Sequence, residues 1–262
     1  MESALQTEFS PVIVIAVTII SILFVGFSKA GFGGGIGLLA TPLLSLVFSP
    51  KFAIGMLLPL LIMADIITIY SYRRYWDRLN LIYLIPGGII GIFSGVLFVK
   101  NVSNFILSKV IGATVLIFLL IQWLRTRLNK NNLKLFPRWW SGTFTGVLAG
   151  TVSAIAHSAG IIIAMYLLPQ KLDKRVFTST MVCFFGVINA TKVIPYLSIG
   201  LINGNTLKYG IYFIPVIPVG TALGFWLNRH LSQKTFTKII YALVIFSGFQ
   251  LLTGLNIFKL FS

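Results

Sequence analysis

Charged residues are scarce in this 262-residue sequence. Only 10% of the residues are charged, whereas 57% are hydrophobic and the mean hydropathy is +0.95. A soluble domain carries roughly 25% charged residues, so the composition argues against a soluble enzyme or binding module. Apolar runs long enough to cross ~30 Å of hydrocarbon explain the deficit. We therefore expect an integral membrane protein, formed by a single membrane domain over 1–262.

Cysteine and the common cofactor motifs are almost absent. The single cysteine, Cys183, permits neither an intramolecular disulfide nor a zinc site of the cysteine type. The sequence has no HExxH, no nucleotide-binding motif and no cysteine–histidine cluster, and its glycines do not form GxGxxG. We therefore expect no resident metal or cofactor, no catalytic residue and no ATP hydrolysis within this chain.

Acidic residues are the rarest charged type, with 5 against 21 Lys and Arg, which gives a net charge of +16. Nucleic acid is not an expected partner, because the basic residues lie in short loops between apolar runs, as they do in cytoplasmic loops. Four loops, 73–78, 125–138, 171–175 and 229–238, hold 14 basic residues, and the opposite side holds five. Both termini are therefore predicted to be extracytoplasmic.

Ten apolar runs are separated by charged or turn-forming residues. In a bilayer such runs must be helices, because open strands would leave backbone groups unpaired. The sequence thus predicts an all-α polytopic fold with about 8–10 membrane helices, although the run 160–168 is too short to cross. The runs are 11–27, 35–48, 53–72, 81–99, 105–124, 141–156, 160–168, 176–198, 206–227 and 236–255.

The chain also contains an internal repeat. Residues 84–113 align with 213–242 without a gap, and at the same offset Ser28 to Gly31 fall on His157 to Gly160. We assign repeat one to 11–124 and repeat two to 139–255. Each has five runs, the first two forming a broken or re-entrant hairpin before three transmembrane helices. The odd number of crossings predicts that the two repeats are inverted, as in many secondary transporters.

A glycine-rich segment in repeat one is the first candidate site. Glycine costs ~1 kcal/mol against alanine in a helix interior, so the cluster predicts a break. The N–H groups of Gly33, Gly34 and Gly35 are suited to holding an anion, with the start of the next helix facing the same point. Lys29 beside the break is a second substrate-binding candidate. The alternatives are close helix packing for the glycines and snorkelling to the interface for Lys29.

Repeat two supplies the remaining candidates. His157 and Ser158 lie at the matching break and offer donors to a substrate, and His157 could also carry a proton. Asn189 and Lys192 share one helix face, which suits an anion. Asp65 aligns with Asn189 after a short slip and is the only carboxylate inside an apolar run. It is a candidate for the coupling proton; purely structural roles for His157 and for an Asp65–lysine pair remain alternatives.

These features together resemble the sulfite exporter TauE/SafE family. The resemblance rests on the break from Lys29 to Gly37, the later Pro42 and Pro50 with Ala53-Ile54-Gly55, the Asn-x-x-Lys of repeat two, and the two repeated halves. It implies a plasma-membrane permease for sulfite, a sulfonate or a related sulfur-containing anion. One departure is that families of this kind tend to repeat the glycine cluster in the second half, whereas here that break reads His-Ser-Ala-Gly.

The function predicted first is therefore secondary transport of a small anion across the lipid bilayer, with proton coupling. A cation or metal permease is the alternative within transport, and it is disfavoured because intramembrane basic residues outnumber the single Asp65. A membrane-embedded enzyme, with His157 and Asp65 as acid–base residues, is the alternative from another class.

Overall fold

The computed structural model describes residues 10–32, 39–72, 75–128, 137–230 and 245–254, and their regular structure is helical. Over the described residues the helices follow the predicted runs, except that the run 206–227 is divided into two helices; residues 35–38 and 236–244 of two predicted runs are not among the described residues. The elements are α1 (Pro11–Phe32), α2 (Ala40–Val47), α3 (Pro50–Tyr72), α4 (Arg78–Asn101), α5 (Asn104–Leu128), α6 (Trp139–Ala156), α7 (Gly160–Leu167), α8 (Lys174–Ser198), α9 (Gly204–Phe213) and α10 (Val216–His230). A further helical segment covers 245–253.

Several helices begin at polar caps that the loop sequences provide. The Asp77 side chain accepts a hydrogen bond from the backbone N–H of Asn80, and Asp173 does the same for Arg175. Asn203 forms a capping box with Thr206 at the start of α9. Each cap satisfies backbone donors that the first turn of a helix leaves unpaired. The caps therefore explain why the charged and turn-forming loops mark the helix boundaries.

Length and hydropathy identify the membrane-crossing helices. Within the described ranges, five are long and apolar enough to cross: α1 over Pro11–Lys29, α3, α4, α5 over Asn104–Ile121, and α8. α9 and the first part of α10 add a sixth if they form one span, which bends by 49° at their junction. The all-α polytopic membrane fold predicted from the sequence is thereby confirmed.

The second predicted break coincides with a helix end, whereas the first falls largely outside the described residues. α1 ends at Phe32 and α2 begins at Ala40, while the glycine-rich residues 33–38 lie outside the described residues. α6 ends at Ala156, and its C-cap residue His157 has a left-handed φ of 52° and donates its N–H to the Ser153 carbonyl. α2 and α7 have eight residues each, which at ~1.5 Å per residue is only ~12 Å. Neither helix is long enough to cross ~30 Å of hydrocarbon.

The helices of the two sequence-related segments pack against each other in an exchanged order. α4 packs on α6 and α1 packs on α10, so the first helix of each segment contacts the fourth run of the other. α3 and α8, the third run of each segment, pack together. The candidate residues on α1, α3, α6 and α8 consequently lie in helices that meet within the bundle.

Two glycines that the sequence repeat aligns allow the backbones of α4 and α6, and those of α1 and α10, to come into direct contact. A Cβ added at Gly91 of α4 would lie 2.1 Å from the Val147 carbonyl oxygen of α6. A Cβ added at Gly220 of α10 would lie 2.8 Å from the Leu23 carbonyl oxygen of α1. Small residues permit such close approach where helices pack in membranes. Gly91 and Gly220 occupy the same position in the sequence repeat, and both make this kind of crossing.

We predict that Gly91→Ala lowers the yield of folded protein, because its methyl group cannot fit without moving α6. Overpacking costs typically about 1–3 kcal/mol, and backbone is harder to displace than a side chain. Gly204→Ala is the matched control, since nothing lies within 4 Å of a Cβ there. Size-exclusion chromatography of detergent-solubilised variants measures both, and equal yields would contradict the packing role of Gly91.

Candidate functional site

A buried ion pair joins the end of α1 to α3. The Lys29 ammonium, in the last turn of α1, donates a hydrogen bond to Oδ1 of Asp65. The two residues are only 4% and 2% exposed. The Lys29 Nζ also lies 5.5 Å from the centroid of the Phe185 ring on α8, within cation–π distance. Lys29 therefore does not snorkel to the interface, but points into the bundle.

Asp65 is held by a second donor from α8. The Asn189 side-chain amide donates to Oδ2 of Asp65 at 2.6 Å. Each carboxylate oxygen thus receives a hydrogen bond, one from Lys29 and one from Asn189. Asp65 and Asn189 are also the residues that the sequence repeat aligns with each other. Equivalent positions of the two segments therefore meet directly at the α3–α8 contact.

Lys192 lies one turn beyond Asn189 on α8 and has no exposed surface. Its Nζ contacts three acceptors on or next to α6. They are the Ser153 carbonyl oxygen at 3.3 Å, the Ser153 Oγ at 3.1 Å and the His157 Nδ1 at 2.8 Å. An ammonium has three N–H donors and no acceptor, so three converging acceptors match its charged form.

The Lys192 contact also determines the tautomer of His157. Since the ammonium can only donate, Nδ1 must carry a lone pair, and the ring proton belongs on Nε2. Nε2 lies 3.1 Å from the carbonyl oxygen of Ile54 on α3, to which it donates. His157 therefore bridges α8 and α3 as a neutral imidazole, at the point where α6 ends.

The charges of this centre do not cancel among the described residues. Lys29 is balanced by Asp65, whereas Lys192 is surrounded by neutral acceptors and forms no ion pair with a carboxylate. Burying an ion without a counter-charge costs several kcal/mol, even after the protein relaxes around it. In its protonated form, Lys192 therefore adds a positive charge that no carboxylate among the described residues balances.

Most of the residues predicted from the sequence come together here. Lys29, Asp65, Asn189, Lys192 and His157 form two adjoining groups that share the same face of α8. Ser158 is buried beside His157, and its hydroxyl donates to the Ala156 carbonyl at 2.8 Å. Gly33, Gly34 and Gly35 lie outside the described residues, so their predicted anion contacts stay a prediction.

Three further residues of this region were missed by the sequence interpretation. Ser153 supplies two of the three acceptors of Lys192, the Tyr196 hydroxyl donates to the Ala154 carbonyl at 2.7 Å, and Phe185 faces Lys29. Each lies one helical turn from a predicted residue: His157, Lys192 or Asn189. Helical periodicity applied outward from the candidates would have found them.

α2 contributes two buried hydroxyls that are unusual. Thr41 and Ser45 are one turn apart and fully buried, and neither side-chain oxygen has a hydrogen-bond partner among the described residues. Such a group costs about 1–3 kcal/mol when left unsatisfied. Both lie shortly after the glycine-rich segment, on a helix whose side chains are all buried.

Comparisons with known proteins agree with this architecture. The family model described as "Sulfite exporter TauE/SafE" matches residues 18–251. A probable membrane transporter protein of Methanocaldococcus jannaschii is 27% identical over 254 residues, which cover 88% of this chain and 92% of that protein. No solved structure matches the chain.

We predict that the Lys29–Asp65 pair behaves as one unit in stability. Lys29→Gln or Asp65→Asn alone leaves a buried charge unpaired, which costs about 3–5 kcal/mol. The double variant should recover much of that loss, because both charges are then removed. Thermal unfolding of the purified proteins in detergent measures the three variants, and additive losses in the double variant would contradict the coupling.

Proposed function

This chain belongs to the sulfite exporter TauE/SafE family and is a multi-pass membrane transporter, and we propose that it carries a small sulfur-containing anion, such as sulfite or a sulfonate. The single observation that carries the anion proposal is Lys192. Its side chain is fully buried, and among the described residues its Nζ contacts neutral acceptors, close to Lys29, which is paired with Asp65.

The contacts of Lys192 describe how an anion would be held. An oxyanion placed beside Nζ replaces one or more of its neutral acceptors with a charged one, and hydrogen bonds between charged groups are shorter and stronger. The Ser153 hydroxyl, at 3.1 Å from Nζ, can then donate to the same anion. Asn189, His157, Ser158 and the Gly33–Gly35 backbone are the further proposed ligands, with Lys29 as the second positive charge.

The alternatives fit the contacts less well. A cation or metal permease needs free carboxylates, whereas Asp65 is paired with Lys29 and Asn189. Within the described ranges no three His, Cys, Asp or Glu side chains come together as metal ligands. An enzyme using His157 with Asp65 would need the two to act on one substrate, yet each is engaged by a different lysine.

We further propose that the chain is one transport domain, 1–262, with inverted repeats at 11–124 and 139–255. The exchanged packing of α1 with α10 and of α4 with α6 supports this arrangement, as does the Asp65–Asn189 contact. Inverted repeats of secondary transporters place the substrate site near the midplane, at discontinuous helices. The proposed site has that setting, since α1 and α6 both end beside it.

The proposed energy source is an ion gradient, with a proton as the coupling ion. The sequence carries no nucleotide-binding motif. Asp65 was the first candidate for the proton and stays a prediction in that role. To take up a proton it would have to weaken its bonds to Lys29 and Asn189, so coupling through Asp65 requires the ion pair to open during each cycle.

The proposed location is the plasma membrane, with both termini outside the cytoplasm. The linker 125–138 carries five basic residues, and such loops are retained on the cytoplasmic side. We expect reporter fusions at either terminus to be active only outside, and a cysteine placed within 125–138 to be labelled only from inside. Two cytoplasmic termini would contradict the orientation, and termini on opposite sides would contradict the odd number of crossings per repeat.

We predict that Lys192→Gln and Lys29→Gln each weaken anion binding roughly tenfold to hundredfold. A buried charged hydrogen bond is worth ~1.5–3 kcal/mol, and ~1.4 kcal/mol corresponds to tenfold in affinity. Uptake of sulfite and of a sulfonate into proteoliposomes measures the effect. Lys100→Gln, at an exposed lysine near the end of α4, is the control. Wild-type transport by both site variants would remove the support for an anion and reopen the cation alternative.

A further inference from the structure

His157 cannot bind a proton while its contact with Lys192 persists. Its Nδ1 lone pair faces the Lys192 ammonium at 2.8 Å, and its Nε2–H is committed to the Ile54 carbonyl. A proton on Nδ1 would place two donor cations against each other with no acceptor between them. Uptake of a proton by His157 therefore requires something negative to enter between Nδ1 and Nζ.

Among the described residues, the surroundings of His157 contain no free anion that could serve this purpose. Lys192 faces it from α8, and Lys29 lies nearby at the end of α1. The Tyr196 ring centroid lies 6.1 Å from that of the imidazole, and α3 offers only the Ile54 carbonyl. Residues 33–38 carry no titratable side chain. Asp65, the one nearby carboxylate, is bonded to Lys29 and Asn189.

We propose that His157 takes up one proton when the site binds a divalent anion, and none when it binds a monovalent one. This inference rests on the proposed anion site and specifies its charge balance. With Lys29 and Asp65 cancelling, Lys192 alone neutralises a monoanion. A dianion leaves one negative charge over, and an imidazolium at His157 neutralises it. Buried charge without compensation is costly, so the fully balanced complexes are favoured.

The step can be written atom by atom. A dianion enters between Lys192 and His157, and the N–H···Nδ1 contact between them breaks. A proton from the aqueous solution then forms an N–H bond at Nδ1, so that Lys192 and His157 both donate to oxygen atoms of the anion. The Nε2–H bond to Ile54 is unchanged, and it keeps the ring in place on α3. No other bond is made or broken, and one proton accompanies each dianion.

Three features position His157 for this role better than Asp65. Its acceptor atom is directly beside the uncompensated ammonium, whereas both Asp65 oxygens already receive strong donors. Imidazole changes charge near neutral pH in its unperturbed state. Its backbone is fixed by the left-handed turn that ends α6, at φ 52°, so protonation changes the charge of the ring without releasing its position.

Linkage gives the measurable consequence. If a proton and a dianion bind together, each raises the affinity for the other by the same factor. Where His157 is neutral without the dianion and protonated with it, dianion affinity should fall about tenfold for each unit rise in pH. Monoanion affinity should not depend on pH over the same range.

The test counts protons by titration calorimetry on the purified wild-type protein in detergent. The probes are sulfate and thiosulfate as dianions and methanesulfonate as a monoanion, because none of them titrates near neutral pH. Two cationic buffers of different ionisation enthalpy convert the heat difference into protons taken up. We expect about one proton per dianion and about none per monoanion, with Lys100→Gln behaving like the wild type. A proton count near zero for the dianions would overturn the proposal.

The variants separate His157 from Asp65. His157→Asn tolerates a left-handed backbone and retains an acceptor for Lys192, but cannot be protonated. It should lose more affinity for the dianions than for methanesulfonate, and its proton count for the dianions should be near zero. A count that stays near one in His157→Asn, or one that is lost in Asp65→Asn while the protein still binds, would assign the proton elsewhere and overturn the proposal.

Failure of the underlying site has a different signature. If the folded wild-type protein binds none of the three probes, the proposed anion site is wrong, and the proton proposal falls with it. If the probes bind without proton uptake, the anion site stands and only the role of His157 is overturned.

Discussion

The ion pair between Lys29 and Asp65 is the interaction on which the rest of the centre depends. It allows a lysine to be buried at the end of α1 and leaves Lys192 as the charge that is not cancelled. Because Asp65 also accepts from Asn189, the same carboxylate links α1, α3 and α8. Without the Asp65 carboxylate, two ammonium groups would share one buried region, and burying each of them unpaired would cost several kcal/mol.

The backbone geometry makes room for these charges. α6 ends at Ala156 and α1 ends at Phe32, so polar side chains near both ends face the interior without interrupting a continuous helix. Glycines at the α4–α6 and α1–α10 crossings bring the surrounding helices to backbone distance. Polar groups inside a membrane protein need partners from the protein itself, and close packing supplies them here.

Sequence alone could predict the helices and most of the site, because both leave strong local signals. Apolar runs, caps such as Asp77 and the glycine and histidine breaks are read from neighbouring residues. Lysines within apolar stretches are costly enough to indicate function. The partner of each lysine could not be predicted this way. Lys29 pairs with Asp65, and Lys192 contacts Ser153 and His157, and these choices depend on how α3 and α8 are placed. The bend at the junction of α9 and α10 likewise divides what reads as one apolar run.

The exchanged helix packing limits how this transporter can move. α1 is joined to α10 and α4 to α6 by crossings at which backbone meets backbone, and in each pair the two helices come from different segments of the repeat. The earlier and later parts of the chain are therefore interlocked, because they cannot separate as rigid bodies without breaking both crossings.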